Sequence, residues 1–327
     1  LQGFGICHGP DIDGRRGVHC KMKALVYEGV ETLGVREVPD PVPAVGELLI
    51  RVHSVGICGS DMHAYLGHDD RRPAPLILGH EAAGTIVGGP RDGERVTVNP
   101  LVTCAQCPVC KSGRENLCPE RQIISMPPRE GAFAQYISMP EVNLVTVPED
   151  VKLSKAALAE PLAVSWHAAG LALASLSPEA ERRALVLGGG AIGLAAALAL
   201  QAAGVENVTI VEPNADRRRF LTESCGQNAR DTADGACPII IDAVGYAATR
   251  ATASALAEPG GVIVHVGLGE DTGGLDIRRM TLQEITFIGT YAYTAQDFRD
   301  TAQAIFDGRL GLLLSLIHIS EPTRRRD

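Results

Sequence analysis

The spacing of hydrophobic and polar positions changes about halfway along this chain of 327 residues. From Met22 to about Val147, short apolar runs are separated by glycine and proline. The clearest runs are residues 22–27, 47–53, 93–98 and 132–137. Short strands bounded by turn residues are typical of antiparallel sheets that curl or close. We therefore predict a partly open β-barrel in the first half.

From about Ala156 the pattern predicts strands that alternate with helices rich in alanine and leucine. The predicted strands are 183–187, 208–211, 239–244 and 262–266, and the predicted helices are 161–173, 191–203, 215–224 and 298–310. This alternation is typical of a parallel sheet covered by helices. Between residues 211 and 239 there is room for one helix and a short strand near 229–231, but little for a second crossover helix. Either one sheet edge is trimmed or coding sequence has been lost.

Composition narrows the class of protein. The hydrophobic fraction is 45% and the aromatic fraction 4%, which suits an α/β protein, and 327 residues are enough for two domains. A net charge of −9 argues against a nucleic-acid partner. No apolar run approaches the roughly twenty residues of a membrane span, so no membrane partner is expected either. The expected location is the reducing cytoplasm.

The two ends do not resemble the rest of the chain. We expect residues 1–21 to be a non-native leader, because Met22 is the first plausible start and no periodicity precedes it. Residues 314–327 resemble the translation of a sequencing adapter, with a genuine basic tail as the alternative. If the tail is adapter-derived, the barrel lacks its closing strands, and the expressed chain should be aggregation-prone and poorly active.

Four cysteines are spaced C-x2-C-x2-C-x7-C: Cys104, Cys107, Cys110 and Cys118. Two-residue gaps let neighbouring thiolates converge on one tetrahedral metal ion, and four thiolates leave no open position. We therefore predict a structural zinc site. An iron–sulfur cluster is the alternative, because Pro119 follows the last cysteine, but bacterial ferredoxins have three residues before that cysteine. Disulfides are disfavoured, since cysteines spaced this tightly in a cytosolic-looking enzyme usually bind metal.

A glycine pattern, G-x-G-x-x-G, lies between a predicted strand and a predicted helix. Any tight strand-to-helix turn can carry it, but this context is typical of a dinucleotide site, where the helix N-terminus binds phosphate. Glu212 ends the next strand, nineteen residues after Gly193, where a carboxylate binds ribose hydroxyls and repels a 2′-phosphate. NAD is therefore predicted, with NADP as the alternative because residues 217–219 are arginines. The predicted cofactor-binding residues are Gly188, Gly190, Ile192, Gly193, Glu212, Arg217, Val266 and Gly267.

Two more motifs, G-I-C-G-S-D and G-H-E, supply Cys58, His80 and Glu81. A thiolate, an imidazole and a carboxylate suit zinc with one open position. Singly, each residue has an ordinary explanation: a buried small side chain, a core hydrogen-bonding group and a surface charge. Their combination with the cysteine group and the nucleotide turn favours a catalytic metal site.

These motifs, in this order from Met22 to about Gly311, resemble those of zinc-dependent medium-chain alcohol dehydrogenases. The resemblance implies a GroES-like β-barrel catalytic domain plus a Rossmann dinucleotide-binding domain, an α/β fold. The Glu160-Pro161 pair is similar to that of the sorbitol, butanediol and threonine dehydrogenase branch. The implied domains are residues 22–160 (catalytic), 161–292 (NAD-binding) and 293–313 (the start of a return to the catalytic domain).

By this resemblance, the catalytic zinc is bound by Cys58, His80 and Glu81, and Glu160 either binds it directly or acts through the bound water. Ser60 accepts the alcohol proton and His63 relays it to solvent, so that the expected catalytic residues are Ser60, His63 and Glu81. Two zinc ions per chain and NAD are the expected cofactors. A homodimer or homotetramer is expected for the complete protein.

The expected reaction is hydride transfer between NAD and the secondary alcohol of a polyol or vicinal diol. The loop of residues 65–77 is polar and charged, which suits a hydroxylated substrate. Arg71 and Arg72 in that loop leave a phosphorylated polyol as an alternative. The motifs are also compatible with an L-threonine 3-dehydrogenase, or with a truncated or inactive NAD-binding paralogue.

Overall fold

The computed structural model of the chain describes residues 21–311. The described residues fold as two compact units: residues 21–104 with 120–157, and residues 105–119 with 158–311. The adapter-like tail and all but the last residue of the expected leader lie outside the described residues. Lys21, the last residue of that leader, begins the first strand.

The strands of the first unit are β1 (Lys21–Gly29), β2 (Thr32–Pro39), β3 (Glu47–Gly56), β4 (Leu76–Ile77), β5 (Glu81–Val87), β6 (Arg95–Val98), β7 (Leu101–Val102), β8 (Gln122–Ile123), β9 (Tyr136–Pro140) and β10 (Leu144–Thr146). Those of the second unit are β11 (Arg183–Leu187), β12 (Asn207–Val211), β13 (Asn228–Arg230), β14 (Cys237–Asp242), β15 (Ala257–His265) and β16 (Thr286–Gly289). The helices are α1 (Gly59–Tyr65), α2 (Pro108–Lys111), α3 (Leu153–Ala156), α4 (Ala159–Ser175), α5 (Ala191–Ala202), α6 (Ala215–Glu223), α7 (Ala247–Leu256), α8 (Ile277–Leu282) and α9 (Ala295–Phe306).

The first unit is built on antiparallel sheets, with strand orders β2-β1-β4, β10-β6-β5-β3-β9 and β7-β8. Its core forms where apolar side chains of neighbouring strands meet on one face. Ile50 on β3 lies opposite Ile86 on β5 and Ile137 on β9, and all three are buried. The partly open β-barrel of short antiparallel strands that we predicted for the first half is therefore confirmed.

One predicted strand of this unit is shorter than expected. The run 132–137 forms a regular strand only from Tyr136. Its earlier residues pair irregularly instead: the Phe133 carbonyl accepts a hydrogen bond from the Leu25 N–H, and the Phe133 N–H donates to the Leu78 carbonyl. Apolar residues occur both in the irregular segment and in the regular strand. The apolar pattern therefore could not distinguish an irregular segment from a strand.

The second unit contains a parallel six-stranded sheet in the order β13-β12-β11-β14-β15-β16. This is the order 3-2-1-4-5-6 of a Rossmann fold, whose ligand crevice lies where the strand order reverses. The central strands are buried on both faces, as the continuous apolar runs of β11 and β14 require. The predicted Rossmann fold is confirmed.

The short connection foreseen between residues 211 and 239 is present. Within the described residues, α6 links β12 to β13, but only residues 231–236 link β13 to β14, and they contain no helix. The edge strand β13 has three residues. The connection from β13 to β14 thus lacks a crossover helix, while the six-strand order is kept.

Two details of the helices differ from expectation. Helix α9 begins at Ala295, three residues earlier than predicted, because Thr294 and Asp297 form a reciprocal capping box at its N-terminus. The stretch Leu153–Ser175 is long and apolar enough to cross a membrane by length and composition, contrary to our expectation that no run approaches that length. However, 61% of its apolar window is buried inside the protein, as in the core helix of a soluble protein.

Candidate active site

Three of the predicted zinc ligands converge because of strand register. In the β3–β5 pair, Gly56 lies directly opposite Glu81, so the end of β3 meets the start of β5. Cys58 follows two residues after Gly56, and His80 precedes Glu81. One ligand atom from each of Cys58, His80 and Glu81 lies within 4.8 Å of the others. A thiolate, an imidazole and a carboxylate at such distances fit zinc, and three protein ligands leave one position open.

Gly56 leaves space for the Glu81 carboxylate in its present position. A Cβ atom at residue 56 would lie 1.9 Å from Glu81 Oε2, which is far inside contact distance. The first glycine of the G-I-C-G-S-D motif therefore makes room for a predicted ligand, Glu81, rather than for a turn.

His80 is oriented by two residues that the sequence analysis did not assign to the site. Its Nδ1 lies 3.5 Å from Asp61 Oδ1 and 3.3 Å from Ser125 Oγ. Asp61 is itself fixed, since its carboxylate accepts hydrogen bonds from the backbone N–H groups of Cys58 and Gly79. A carboxylate or hydroxyl on one ring nitrogen orients the other nitrogen toward a metal. Asp61 was visible in the motif, but Ser125 had no sequence signal.

The two predicted proton-relay residues lie on one short helix. Ser60 and His63 are three residues apart in α1, a spacing that puts side chains on the same face. Ser60 is half-buried, whereas His63 is exposed, with its ring centroid 6.2 Å from that of His68. The pair thus extends from the half-buried start of α1 to solvent.

The arginines of the polar loop are engaged by a neighbouring carboxylate. Arg72 is 4% exposed and forms an ion pair with Asp69, and its Nε donates to the Ser125 carbonyl at 3.1 Å. Arg71 Nε lies 2.8 Å from Asp69. Partial burial would raise the pKa of Asp69, but Arg71 and Arg72 hold it at about 2. Both guanidinium groups therefore meet an ionised carboxylate, which weakens the argument for a phosphorylated substrate.

The four-cysteine group has the geometry of a tetrahedral metal site. All four sulfur atoms lie within 4.8 Å of one another. The Sγ atom of Cys107 is 3.4 Å from that of Cys110 and 3.9 Å from that of Cys118. Zinc–sulfur bonds of about 2.3 Å in a tetrahedron give sulfur separations of roughly 3.8 Å. A disulfide would need about 2.05 Å, so the donor set fits structural zinc.

Glu160 lies in the second unit, in the first turn of α4, and is buried. The hydroxyl of Tyr293 donates to its Oε1 at 2.9 Å, and Tyr293 is 1% exposed. The backbone on both sides of Tyr293 is held by residues of the cysteine lobe, the segment 104–118 that contains the four cysteines. Asn116 Nδ2 donates a hydrogen bond to the Tyr291 carbonyl, and the Glu115 carboxylate accepts one from the Ala295 N–H. Tyr293 was not singled out from the sequence, since 133 residues separate it from Glu160.

The turn after β11 is as compact as a dinucleotide site requires. A Cβ atom on Gly193 would lie 1.8 Å from the Gly188 carbonyl, so α5 packs directly on the turn. Gly188 has φ +95°, a value that favours glycine. Gly190 caps α5, and a Cβ there would meet nothing within 4 Å. The open side of the turn, with helix N–H groups beside it, can accept a pyrophosphate.

Glu212 closes this turn from the next strand. It is 3% exposed, and its two oxygens accept hydrogen bonds from the backbone N–H groups of Gly189 and Asn214, each at 2.9 Å. Burial alone would raise the pKa of Glu212, but these N–H groups and Arg217 lower it below its usual value. Arg217 Nη1 lies 3.1 Å from the carboxylate. The predicted ribose-binding carboxylate is therefore ionised beside the turn.

The remaining predicted cofactor-binding residues lie, like Glu212, at the carboxyl ends of the parallel strands. The carbonyl of Ile192, in α5, accepts a hydrogen bond from Ser165. Val266 and Gly267 follow β15, and both donate their backbone N–H to the carbonyl of Asp242 at the end of β14. These positions line the carboxyl ends of the central strands, where Rossmann folds bind ligands.

Together, the open metal site and the nucleotide turn define a zinc-dependent dehydrogenase. The model of the alcohol dehydrogenase GroES-like domain matches residues 44–149, and that of the zinc-binding dehydrogenase domain matches residues 191–307. The chain therefore belongs to the zinc-dependent medium-chain alcohol dehydrogenase family, whose members are alcohol or polyol oxidoreductases with zinc and NAD(P) as cofactors.

Curated relatives support the same family. The chain is 35% identical to sorbitol dehydrogenase of Bacillus subtilis (strain 168) over 83% of this chain and 82% of the relative. It is 31% identical to L-galactonate-5-dehydrogenase of Escherichia coli (strain K12) over 91% of each protein. No finding favours the threonine dehydrogenase alternative.

Solved structures also match both units. An alcohol dehydrogenase of Escherichia coli CFT073, complexed with NADH, is 28% identical, with a TM-score of 0.80 and 88% of each chain covered. A zinc-binding dehydrogenase of Sinorhizobium meliloti 1021, bound to NADP, is 29% identical, with a TM-score of 0.79 and coverage of 89% of this chain and 90% of that one. These relatives differ in the bound nicotinamide cofactor, so the choice between NAD and NADP depends on this chain's own residues.

Proposed function

We propose that this chain oxidises the secondary alcohol of a polyol or vicinal diol and transfers the hydride to NAD. The observation that carries the proposal is the Cys58, His80 and Glu81 group, in which three donors lie within 4.8 Å of one another and leave one position for a substrate oxygen. The substrate class is supported by the similarity to a sorbitol dehydrogenase and an L-galactonate-5-dehydrogenase, whose names give a polyol and a sugar acid as their substrates. It is supported also by the polar loop of residues 65–77.

Different side chains of this protein carry out the successive proton transfers. Cys58, His80 and Glu81 would hold a zinc ion, which would act as a Lewis acid and make the substrate hydroxyl more acidic. Ser60, two residues after Cys58, accepts the hydroxyl proton, and the exposed His63 passes it to solvent. Asp61 and Ser125 hold the His80 ring in one orientation while this happens. The net reaction removes a hydride from the carbinol carbon and a proton from its oxygen.

By the family resemblance, Glu160 would serve the catalytic zinc either as a further ligand or through the water bound to that zinc. Its buried Oε1 accepts a hydrogen bond from the Tyr293 hydroxyl, which supports the side chain inside the protein. A structural zinc ion at Cys104, Cys107, Cys110 and Cys118 completes two zinc ions per chain. We propose the cytoplasm as the location of the enzyme and, for the complete protein, a homodimer or homotetramer.

NAD is the proposed coenzyme because Glu212 is ionised where the adenosine ribose binds. A carboxylate there accepts hydrogen bonds from two ribose hydroxyls and repels the 2′-phosphate of NADP. Arg217 lies against the same carboxylate and partly offsets its charge. The protein should therefore bind NAD more tightly than NADP, but it should still bind NADP.

The Glu212→Ala variant should bind NAD about 5- to 150-fold more weakly, because buried ribose hydroxyls and the Gly189 N–H lose their acceptor, at roughly 1–3 kcal/mol. The ratio of NAD to NADP affinity should fall as well, since the repelling charge is gone. Titration calorimetry with both coenzymes measures this. Glu206→Ala is the matched control, because Glu206 is exposed. Unchanged NAD affinity in Glu212→Ala would contradict the cofactor assignment.

A substrate panel tests the reaction. Sorbitol, xylitol, 2,3-butanediol, L-galactonate and L-threonine are each incubated with the zinc-loaded protein and with NAD or NADP, and the formation of reduced coenzyme is followed at 340 nm. Turnover of a polyol or sugar acid with NAD is expected. Turnover of threonine alone would establish the threonine dehydrogenase, and tight coenzyme and zinc binding without any turnover would establish an inactive NAD-binding protein.

A further inference from the structure

The loop that follows β15, residues 267–274, is unusually rich in glycine for a segment with a fixed conformation. Its sequence is G-L-G-E-D-T-G-G, and it contains no helix or strand. Leu268, at its start, is 90% exposed. Glycine-rich, exposed segments lose much conformational entropy when they become ordered. Some interaction must therefore compensate if this loop is to keep one conformation.

Arg250 supplies that interaction from α7. It is 6% exposed, and its guanidinium donates to four backbone carbonyls: Gly245 (2.8 Å), Glu270 (3.0 Å), Thr272 (2.5 Å) and Gly273 (2.6 Å). Three of these four acceptors belong to the loop. The planar guanidinium, with five N–H donors in a fixed fork, can reach all four at once, which an ammonium group cannot.

The charge of Arg250 is met by carbonyl dipoles rather than by a carboxylate. Within the described part of the chain, Arg250 forms no ion pair with a carboxylate. The carboxylate of Glu270, a residue of the loop, accepts a hydrogen bond from the Ala247 N–H at 2.7 Å rather than from Arg250. Burying a charge without an ionic partner is costly, so its contribution to overall stability is small at best. What the arrangement does provide is a single defined path for the loop backbone.

The loop also packs tightly on the start of α7. A Cβ atom on Gly274 would lie 2.0 Å from the Ala247 carbonyl, and one on Gly269 would lie 2.5 Å from the Tyr246 ring. The glycines therefore allow a close approach of two backbones, and Arg250 fastens the loop in that position.

The position of this loop follows from the strand order. Glu212, at the end of β12, fixes the adenosine side of the dinucleotide, so the other half must cross β11 toward β14 and β15. The intervening turns are in contact along that path. A Cβ on Gly188 would lie 2.4 Å from Val244 Cγ2, and one on Gly267 would lie 2.2 Å from the Val244 backbone. The loop 267–274 thus continues the surface of the nucleotide turn on the nicotinamide side.

We propose that Arg250 is a positioning residue for coenzyme binding, which holds the loop 267–274 in the conformation that borders the nicotinamide half of NAD. This inference rests on the proposed NAD-linked function. It assigns to Arg250 no contact with substrate or metal, and its effect acts through the loop backbone.

The test compares NADH with ADP-ribose, which lacks the nicotinamide. In Arg250→Lys, titration calorimetry should show NADH bound about tenfold more weakly, as expected for the loss of one or two hydrogen bonds to a charged group, with ADP-ribose affinity unchanged. Hydrogen exchange of the amides in residues 267–274 should become faster in the variant without any ligand. Arg279→Lys is the matched control, because its guanidinium also donates to two backbone carbonyls, of Ser254 and Ala257, but to none in this loop.

Equal loss of NADH and ADP-ribose in Arg250→Lys, or no change in either, would overturn the positioning role. Unchanged exchange of the loop amides would overturn it independently of any ligand. A wild-type chain that binds neither ADP-ribose nor NADH would instead overturn the proposed coenzyme, and this inference with it. The separate readouts keep these failures distinguishable.

Discussion

The Cys58→Ala variant should lose turnover completely and bind one zinc ion per chain instead of two, while it remains folded. The thiolate is one of the three donors that converge within 4.8 Å at the open site, and no other cysteine belongs to that group among the described residues. Loss of a metal ligand removes the Lewis acid on which alcohol oxidation depends. The measurements are zinc content by elemental analysis, NADH formation with the best substrate of the panel, and far-ultraviolet circular dichroism.

The control for this variant is Cys225→Ala, because Cys225 is half-buried but belongs to neither of the two metal-binding groups found in residues 21–311. It should keep both zinc ions and full turnover. If Cys58→Ala retained wild-type turnover, or if the wild-type protein contained iron or no metal, the assignment of the catalytic site would be wrong.

The Cys107→Ser variant should be strongly destabilised, with a lower melting temperature, reduced solubility and one zinc ion lost. Structural zinc in small peptides contributes apparent free energies of about 10–16 kcal/mol, and at such a site binding energy is folding energy. The effect should extend beyond the lobe, since Glu115 and Asn116 hold the backbone around Tyr293. Calorimetric unfolding, with and without excess chelator, measures the change.

The matched substitution Cys225→Ser should leave the melting temperature and zinc content close to those of the wild-type protein. Chelator should lower the stability of the wild-type protein toward that of Cys107→Ser and should change the variant much less. A Cys107→Ser protein that melts at the wild-type temperature with two zinc ions would show that these four sulfur atoms do not hold a metal.

The parts of the molecule that could be predicted from sequence are those in which the determining residues are neighbours along the chain. The cysteine group spans fifteen residues, and the nucleotide turn six, so their spacing alone specifies convergence. The change from short alternating strands to alternating strands and helices likewise predicted both folds, because burial of one face imposes a periodicity that sequence records directly. Element ends were less accurate where a local cap, such as Thr294 with Asp297, set the boundary.

Other features were decided only by the tertiary structure. Ser125 contacts His80 across 45 residues, and Tyr293 contacts Glu160 across 133. Arg250 finds its acceptors on carbonyls about twenty residues away, and carbonyls carry no side-chain signature at all. The sequence by itself determined which chemical groups are present and which local motifs they form. The tertiary structure determined which distant residues orient these groups, through strand register and helix packing. A hydrogen bond depends on the positions of two groups in space, and the spacing of residues along the sequence does not predict those positions for distant pairs.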